Sequence, residues 1–344
     1  MRFDKPFQDR HGIIPFSGPP RSKRDTPAME QLLRRLSILG TIGMFTVLLM
    51  GATVTDTGSQ TGCGRSWPLC HGNFLPASVR ASVIEFSHRA VTGVIGIVII
   101  ALAVLSIRIR HKYPALLPLV PIMVGALLLQ SGMGAWAVKY PQSAAVLALH
   151  FGFSLVAVAG VFLVMRVIDE QSSGRYVQKP PAPPLLKALF WLSVIVVYVV
   201  AYSGAYIKHA KAEDGCRSWP LCDGQVWPGL SGDNGVIFMH RLAAFGSMLL
   251  LIGIAWYAYK YRAIRPDLFN VALLAVLAVA CQAVVGGIVA ATNMQLISTL
   301  LHAGLMAVLF LVLCEGCRLT VPQRAPNQAW SINQQQAVAP QGAD

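Results

Sequence analysis

Eight long apolar stretches set the rhythm of the chain, at roughly 33–55, 82–107, 115–138, 144–166, 186–207, 235–259, 267–290 and 296–317. Each is near the ~20 residues that a helix needs to cross a bilayer. The pattern predicts an all-α integral membrane protein with eight transmembrane helices. Residues 1–32 hold no long apolar run and read as a disordered cytoplasmic N-terminus. The first apolar stretch is too long and starts too late for a cleaved signal peptide. Residues 318–344, rich in Gln, Pro and Ala toward the end, read as a disordered cytoplasmic tail.

Composition agrees with a membrane protein. Of 344 residues, 55% are hydrophobic and 12% charged, with a mean hydropathy of +0.56, which excludes an ordinary soluble domain. The net charge of +13 would suit a nucleic-acid partner, but its placement argues for topology instead. Twenty of the 28 Lys and Arg fall at the termini or in connections on the same side as the termini. The positive-inside rule puts that side in the cytoplasm. Lipid, and no nucleic acid, is the expected surrounding.

The chain repeats itself. Cys63-Gly64-Arg65-Ser66-Trp67-Pro68-Leu69-Cys70 returns as Cys216-Arg217-Ser218-Trp219-Pro220-Leu221-Cys222. His88-Arg89 returns as His240-Arg241, Gln130 as Gln282 and His150 as His302, all at an offset of 152. This predicts two tandem pseudo-symmetric four-helix bundles, 33–166 and 186–317, joined by a cytoplasmic linker over 167–185. Each half starts on the same side, as in a parallel repeat.

His88, His150, His240 and His302 each fall about six residues into an even-numbered helix. At 1.5 Å per residue they share a depth of ~9 Å. Ionisable groups in a bilayer are costly and call for a functional explanation. Two His at matched depth in a four-helix unit suit bis-imidazole ligation of a haem. Four unrelated hydrogen-bonded residues would not repeat in this way, and zinc would need more ligands than two His. Arg89 and Arg241 follow two of the histidines, placed to pair with a haem propionate or to reach the headgroups. His11, His71, His111 and His209 read as tail or loop residues without a special role.

The repeat breaks at Glu85, whose counterpart is Ile237. A carboxyl in apolar surroundings can serve as an acid or base, or simply pair with Arg89 one turn on. If Glu85 is the acid or base, the first half carries the reacting group, and the second a haem that moves electrons or supports structure. Cys63/Cys70 and Cys216/Cys222 can close small disulfide loops, act as reactive thiols or clip a metal. An oxidising outer compartment favours disulfides. Cys70-His71 hints at copper, but Asp223 stands at the matching place. Cys314-Glu315-Gly316-Cys317 precedes Arg318 and not His, so it is no c-type haem attachment site and reads as two unpaired thiols.

Three features together closely resemble the haem A synthase family of cytochrome oxidase assembly, over about 35–317. They are Gly62-Cys63-Gly64-Arg65-Ser66-Trp67-Pro68-Leu69-Cys70-His71-Gly72, Glu85-Phe86-Ser87-His88-Arg89, and one His in each even-numbered helix. The resemblance implies a plasma-membrane enzyme that oxidises the C8 methyl of haem O to a formyl group through hydroxylated haem I. Haem O would be the substrate, on His88 and His150 with Arg89 close by and Glu85 near the reacting methyl. Haem b would be the cofactor, on His240 and His302. The family also implicates Cys63 and Cys70 in catalysis, and two disulfides, Cys63–Cys70 and Cys216–Cys222. Haem O synthase is the implied protein partner, and a homo-oligomer is compatible with the resemblance. Two other classes fit the histidines alone: a di-haem b cytochrome relaying electrons from quinol, and a non-catalytic haem-binding assembly factor.

Overall fold

The computed structural model describes residues 27–172, 179–212 and 214–322. They form α1 (Pro27–Asp56), α2 (Arg80–Arg108), α3 (Leu116–Lys139), α4 (Ala144–Ser172), α5 (Pro184–Ala210), α6 (Gly232–Tyr259), α7 (Pro266–Ala291) and α8 (Leu296–Thr320). Every apolar stretch is a helix long and apolar enough to cross a membrane, so this is a multi-pass membrane protein. Even α3, at 24 residues, extends ~36 Å against a hydrocarbon core of ~30 Å. The outward faces are as apolar as the core. Trp136, Ile195, Trp256 and Val284 are 61–66% exposed, a surface suited to lipid tails and not to water.

Helices α1 to α4 form a ring in which α4 closes on α1, and α5 to α8 form a second ring in the same order. The rings meet where α4 packs on α5 and α8, and α1 on α8. Under the repeat, α1 answers to α5 and α4 to α8. The α1–α8 and α4–α5 contacts are thus one contact made twice, as across a two-fold axis. One apolar core runs through both rings. Lipid offers no hydrophobic drive between helices, so close packing must supply it. A Cβ on Gly160 of α4 would stand 3.0 Å from the Met123 Cα of α3.

Polar clusters tie the rings together at both ends. At the Cys-loop end, Asp56 of α1 accepts a hydrogen bond from Thr299 of α8 (2.5 Å) and pairs with Lys208 of α5 (3.3 Å). At the other end, Arg318 of α8 donates to Glu315 (2.6 and 2.7 Å) and to Glu170 of α4 (2.7 Å). Arg166 reaches the same Glu315 at 3.2 Å. Arg265 holds the carbonyls of Pro180 and Leu319, fixing the linker's end against α8.

These ion pairs explain why the helices outrun the apolar stretches. Residues 27–32, expected disordered, are helical, because Leu33 is fully buried and Glu30 pairs with Lys112. Residues 167–172, expected as linker, continue α4, with Asp169 bound to Arg34 and Glu170 to Arg318. Residues 318–320, expected as tail, end α8. His209 belongs to the last turn of α5 and not to a loop. The disorder expected over 1–26 and 323–344, and the middle of the linker, lie outside the described residues.

Removing one member of a buried pair leaves an uncompensated charge, which costs about 3–5 kcal/mol. Arg318→Ala is expected to destabilise the detergent-solubilised protein by that order in reversible unfolding. Adding Glu315→Gln should recover part of the loss.

Candidate functional site

The site begins with helix geometry. His88 and His240 lie eight residues in from the starts of α2 and α6, ~12 Å along the axis, and His150 and His302 six residues into α4 and α8, ~9 Å. Within each ring these helices are diagonal partners, separated by α1 and α3 or by α5 and α7. The imidazoles of a pair thus face each other across a space and not across a packed seam. All four line one cavity of about 1830 Å³ that spans both halves. It exceeds the roughly 300–1,000 Å³ of a site for one drug-sized ligand.

Three observations fit a haem in each half. First, Nδ1 of His88, His150 and His302 is buried without a hydrogen-bond partner, as expected for rings placed to bind something else. Second, each imidazole rests on a glycine of the preceding helix. A Cβ on Gly51, Gly134, Gly204 or Gly286 would stand 3.4, 3.3, 3.0 or 3.2 Å from the Cε1 of His88, His150, His240 or His302. The backbone is cut away to seat the ring. Third, no three His, Cys, Asp or Glu converge on one point among the described residues. Two imidazoles per half suit an iron whose equatorial positions a porphyrin already fills.

Above the cavity sit the two cysteine loops. Cys63 and Cys70, and Cys216 and Cys222, form disulfides with Cα atoms 4.4 Å apart in both. The Arg that follows each His clamps its loop. Arg89 Nη1 donates to the carbonyls of Ser66 (2.7 Å) and Leu69 (2.8 Å), and Nη2 to Glu85. Arg241 donates to the carbonyls of Ser218 (2.8 Å), Leu221 (3.2 Å) and Cys216 (2.8 Å). Both arginines line the cavity, and Arg89 keeps a buried Nε without a partner, so holding the loop does not use up its donors. His71 folds back on the Gly62 carbonyl at 3.0 Å. Asp223, its counterpart, accepts from the Ser218 N–H at 3.1 Å.

Glu85 is 3% exposed and lines the cavity. One carboxylate oxygen accepts the Cys63 N–H at 2.8 Å, and the other faces Arg89. The ion pair weighed from the sequence is therefore formed. In the second half, the Asn234 side chain accepts the matching Cys216 N–H at 3.1 Å, and Ile237 fills the place of Glu85. The second half closes its loop without a carboxylate, so the loop fold by itself does not account for Glu85.

Sequence reasoning missed the four glycines, although Gly134 and Gly286 keep the offset of the repeat and Gly51 and Gly204 miss it by one residue. It also passed over Lys208 and His209, which line the cavity from α5. Gln130 and Gln282 line it too. Gln130 accepts from Ser154 at 2.8 Å, and Gln282 donates to the His302 carbonyl at 3.1 Å. The thiols of Cys281, Cys314 and Cys317 are free.

Fold and site together define a membrane-embedded haem protein with two imidazole pairs. The family model described as cytochrome oxidase assembly protein (COX15-CtaA) matches residues 78–314. A haem A synthase of Symbiobacterium thermophilum is 36% identical over 295 residues, covering 84% of this chain and 96% of that protein. A haem A synthase of Shouchella clausii is 38% identical over 301 residues, covering 86% of this chain and 100% of that protein. One of Staphylococcus haemolyticus is 38% identical over 288 residues, covering 81% and 91%. The chain belongs to this cytochrome oxidase assembly family, that of the haem A synthases, which are oxidoreductases of haem A biosynthesis.

Gly204→Val would put side-chain atoms where the His240 ring lies. The purified variant is expected to lose bound haem while its helix content, read by circular dichroism, stays intact.

Proposed function

We propose that this protein is a haem A synthase that takes haem O between His88 and His150 and holds haem b on His240 and His302. The observation that carries the assignment of the halves is their asymmetry. Glu85 lines only the first half's part of the cavity. The first half is also roomier along α2. A Cβ on Gly93 or Gly96 would meet nothing within 4 Å, and the cavity continues past them to Ile97 and Ile100. Phe245 and Met248 occupy the matching places on α6, and Leu249 and Ile252 do not line the cavity. Haem O carries a long apolar tail that haem b lacks, so the larger space suits the substrate.

Turning a ring methyl into a formyl group, through the alcohol of haem I, removes electrons and protons and adds one oxygen. The site therefore needs a base near the methyl and an outlet for electrons. Glu85 is the base in this reading. Arg89 and the Cys63 N–H hold its carboxylate, so proton transfer needs little reorganisation. Cys63 and Cys70 act beside it, coupled to Glu85 through that N–H. Haem b, when bound, supplies a one-electron relay.

Both termini lie in the cytoplasm, and the disulfide loops face outward across the plasma membrane, as the basic residues favour. Haem O synthase is the protein partner proposed to deliver the substrate, and a homo-oligomer accommodates the same arrangement. The halves themselves, 33–166 for substrate and 186–317 for cofactor, are proposed as functional units. A di-haem cytochrome fed by quinol would need neither Glu85 nor the enlarged first half.

Glu85→Gln keeps an acceptor for Cys63 but cannot take a proton. Turnover of haem O is expected to fall about 10²–10⁴-fold with haem b content unchanged, read by pigment extraction and mass spectrometry. Near-normal turnover would remove the chemical role. Gly93→Phe combined with Gly96→Met should fill the first-half space and abolish haem O uptake, again with haem b retained. Deleting the gene should leave haem O in the membranes, and unchanged haem A would overturn the assignment.

A further inference from the structure

The four imidazoles are not held alike. Three have a buried Nδ1 with no partner, whereas Nδ1 of His240 lies 2.8 Å from the Ser203 hydroxyl of α5. That hydroxyl is also 2.8 Å from the Val200 carbonyl. A carbonyl oxygen only accepts, so the single hydroxyl proton of Ser203 goes to Val200. The Ser203 oxygen must then accept from His240, which fixes the proton on Nδ1 and leaves the lone pair on Nε2. The matching residue on α1 follows from the glycines. Gly51 and Gly204 seat His88 and His240 in the same way, so Met50 stands where Ser203 stands. Methionine has no proton to give and is at best a weak acceptor.

We propose that Ser203 is a positioning residue that makes His240 a preorganised haem ligand, and that Met50 withholds this hold from His88, so that one half keeps its haem and the other exchanges it. This rests on the reading of His240 as a haem b ligand. A histidine that binds iron through one nitrogen is oriented, and made a stronger donor, by a hydrogen bond from the other. Losing such a partner costs about 10–100-fold in affinity or activity. A resident cofactor needs that hold. A substrate that must leave as product is better served without it. The hydrogen bond also favours the ferric iron, since a more basic imidazole stabilises the higher charge.

The test uses the full-length protein with haem b bound. Ser203→Ala should release haem b to a haem scavenger about 10–100-fold faster than wild type. The midpoint potential should rise, by about 59 mV for each tenfold loss confined to the ferric form. Ser203→Thr, which keeps the hydroxyl, should restore both. Met50→Ser should slow release of the first-half haem. Unchanged release and potential in Ser203→Ala would overturn the proposal. So would a loss that Thr does not rescue and that tracks a fall in thermal stability, because that is a packing effect. His240→Ala separates the two levels. Retention of second-half haem in that variant would remove the ligand assignment itself, whereas its loss beside a silent Ser203→Ala would sink only the role of Ser203.

Discussion

Burying an imidazole nitrogen without a partner costs roughly 1–3 kcal/mol, and this protein does so at His88, His150 and His302. In a membrane interior no water is at hand to relieve the cost. The surrounding structure is shaped by that arrangement. The paired histidines stand on diagonal helices, so an open space separates them. Each ring is seated on a glycine, so the neighbouring backbone comes within van der Waals reach. In the reading proposed above, the paired imidazoles would hold haem iron through their other nitrogen, Nε2, and Nδ1 would be left to whatever the neighbouring helix offers.

The rest of the scaffold maintains that space. Two four-helix rings could collapse on an empty centre, and polar clusters at both ends resist this. Asp56, Lys208 and Thr299 join α1, α5 and α8 at one end, and Arg318, Glu315 and Glu170 join α4 and α8 at the other. Over the mouth, Arg89 and Arg241 hold the disulfide loops by their carbonyls. The same Arg that follows each His thus fixes the loop, which couples loop position to the position of the imidazole. Duplication gives both halves this frame, and the halves depart from each other at a few cavity-side positions: Glu85 against Ile237, Gly93 and Gly96 against Phe245 and Met248, and Met50 against Ser203.

The sequence alone determined the eight helices, the duplication, the four histidines at matched depth and the singular Glu85. The physical reason is that a bilayer makes each of these expensive to hide: spans must be long and apolar, and any ionisable group inside them stands out. It could not show the helix ends, because 27–32, 167–172 and 318–320 carry polar residues whose partners are distant in the chain: Glu30 pairs with Lys112 of the α2–α3 connection, Asp169 with Arg34 and Glu170 with Arg318. Nor could it show that Arg89 and Arg241 clamp the cysteine loops, since the carbonyls they hold lie 20–25 residues away. Only the tertiary structure brought Ser203 to His240, seated each ring on its glycine and joined both halves in one cavity, because these depend on how separate helices turn toward each other and not on the period of any one of them.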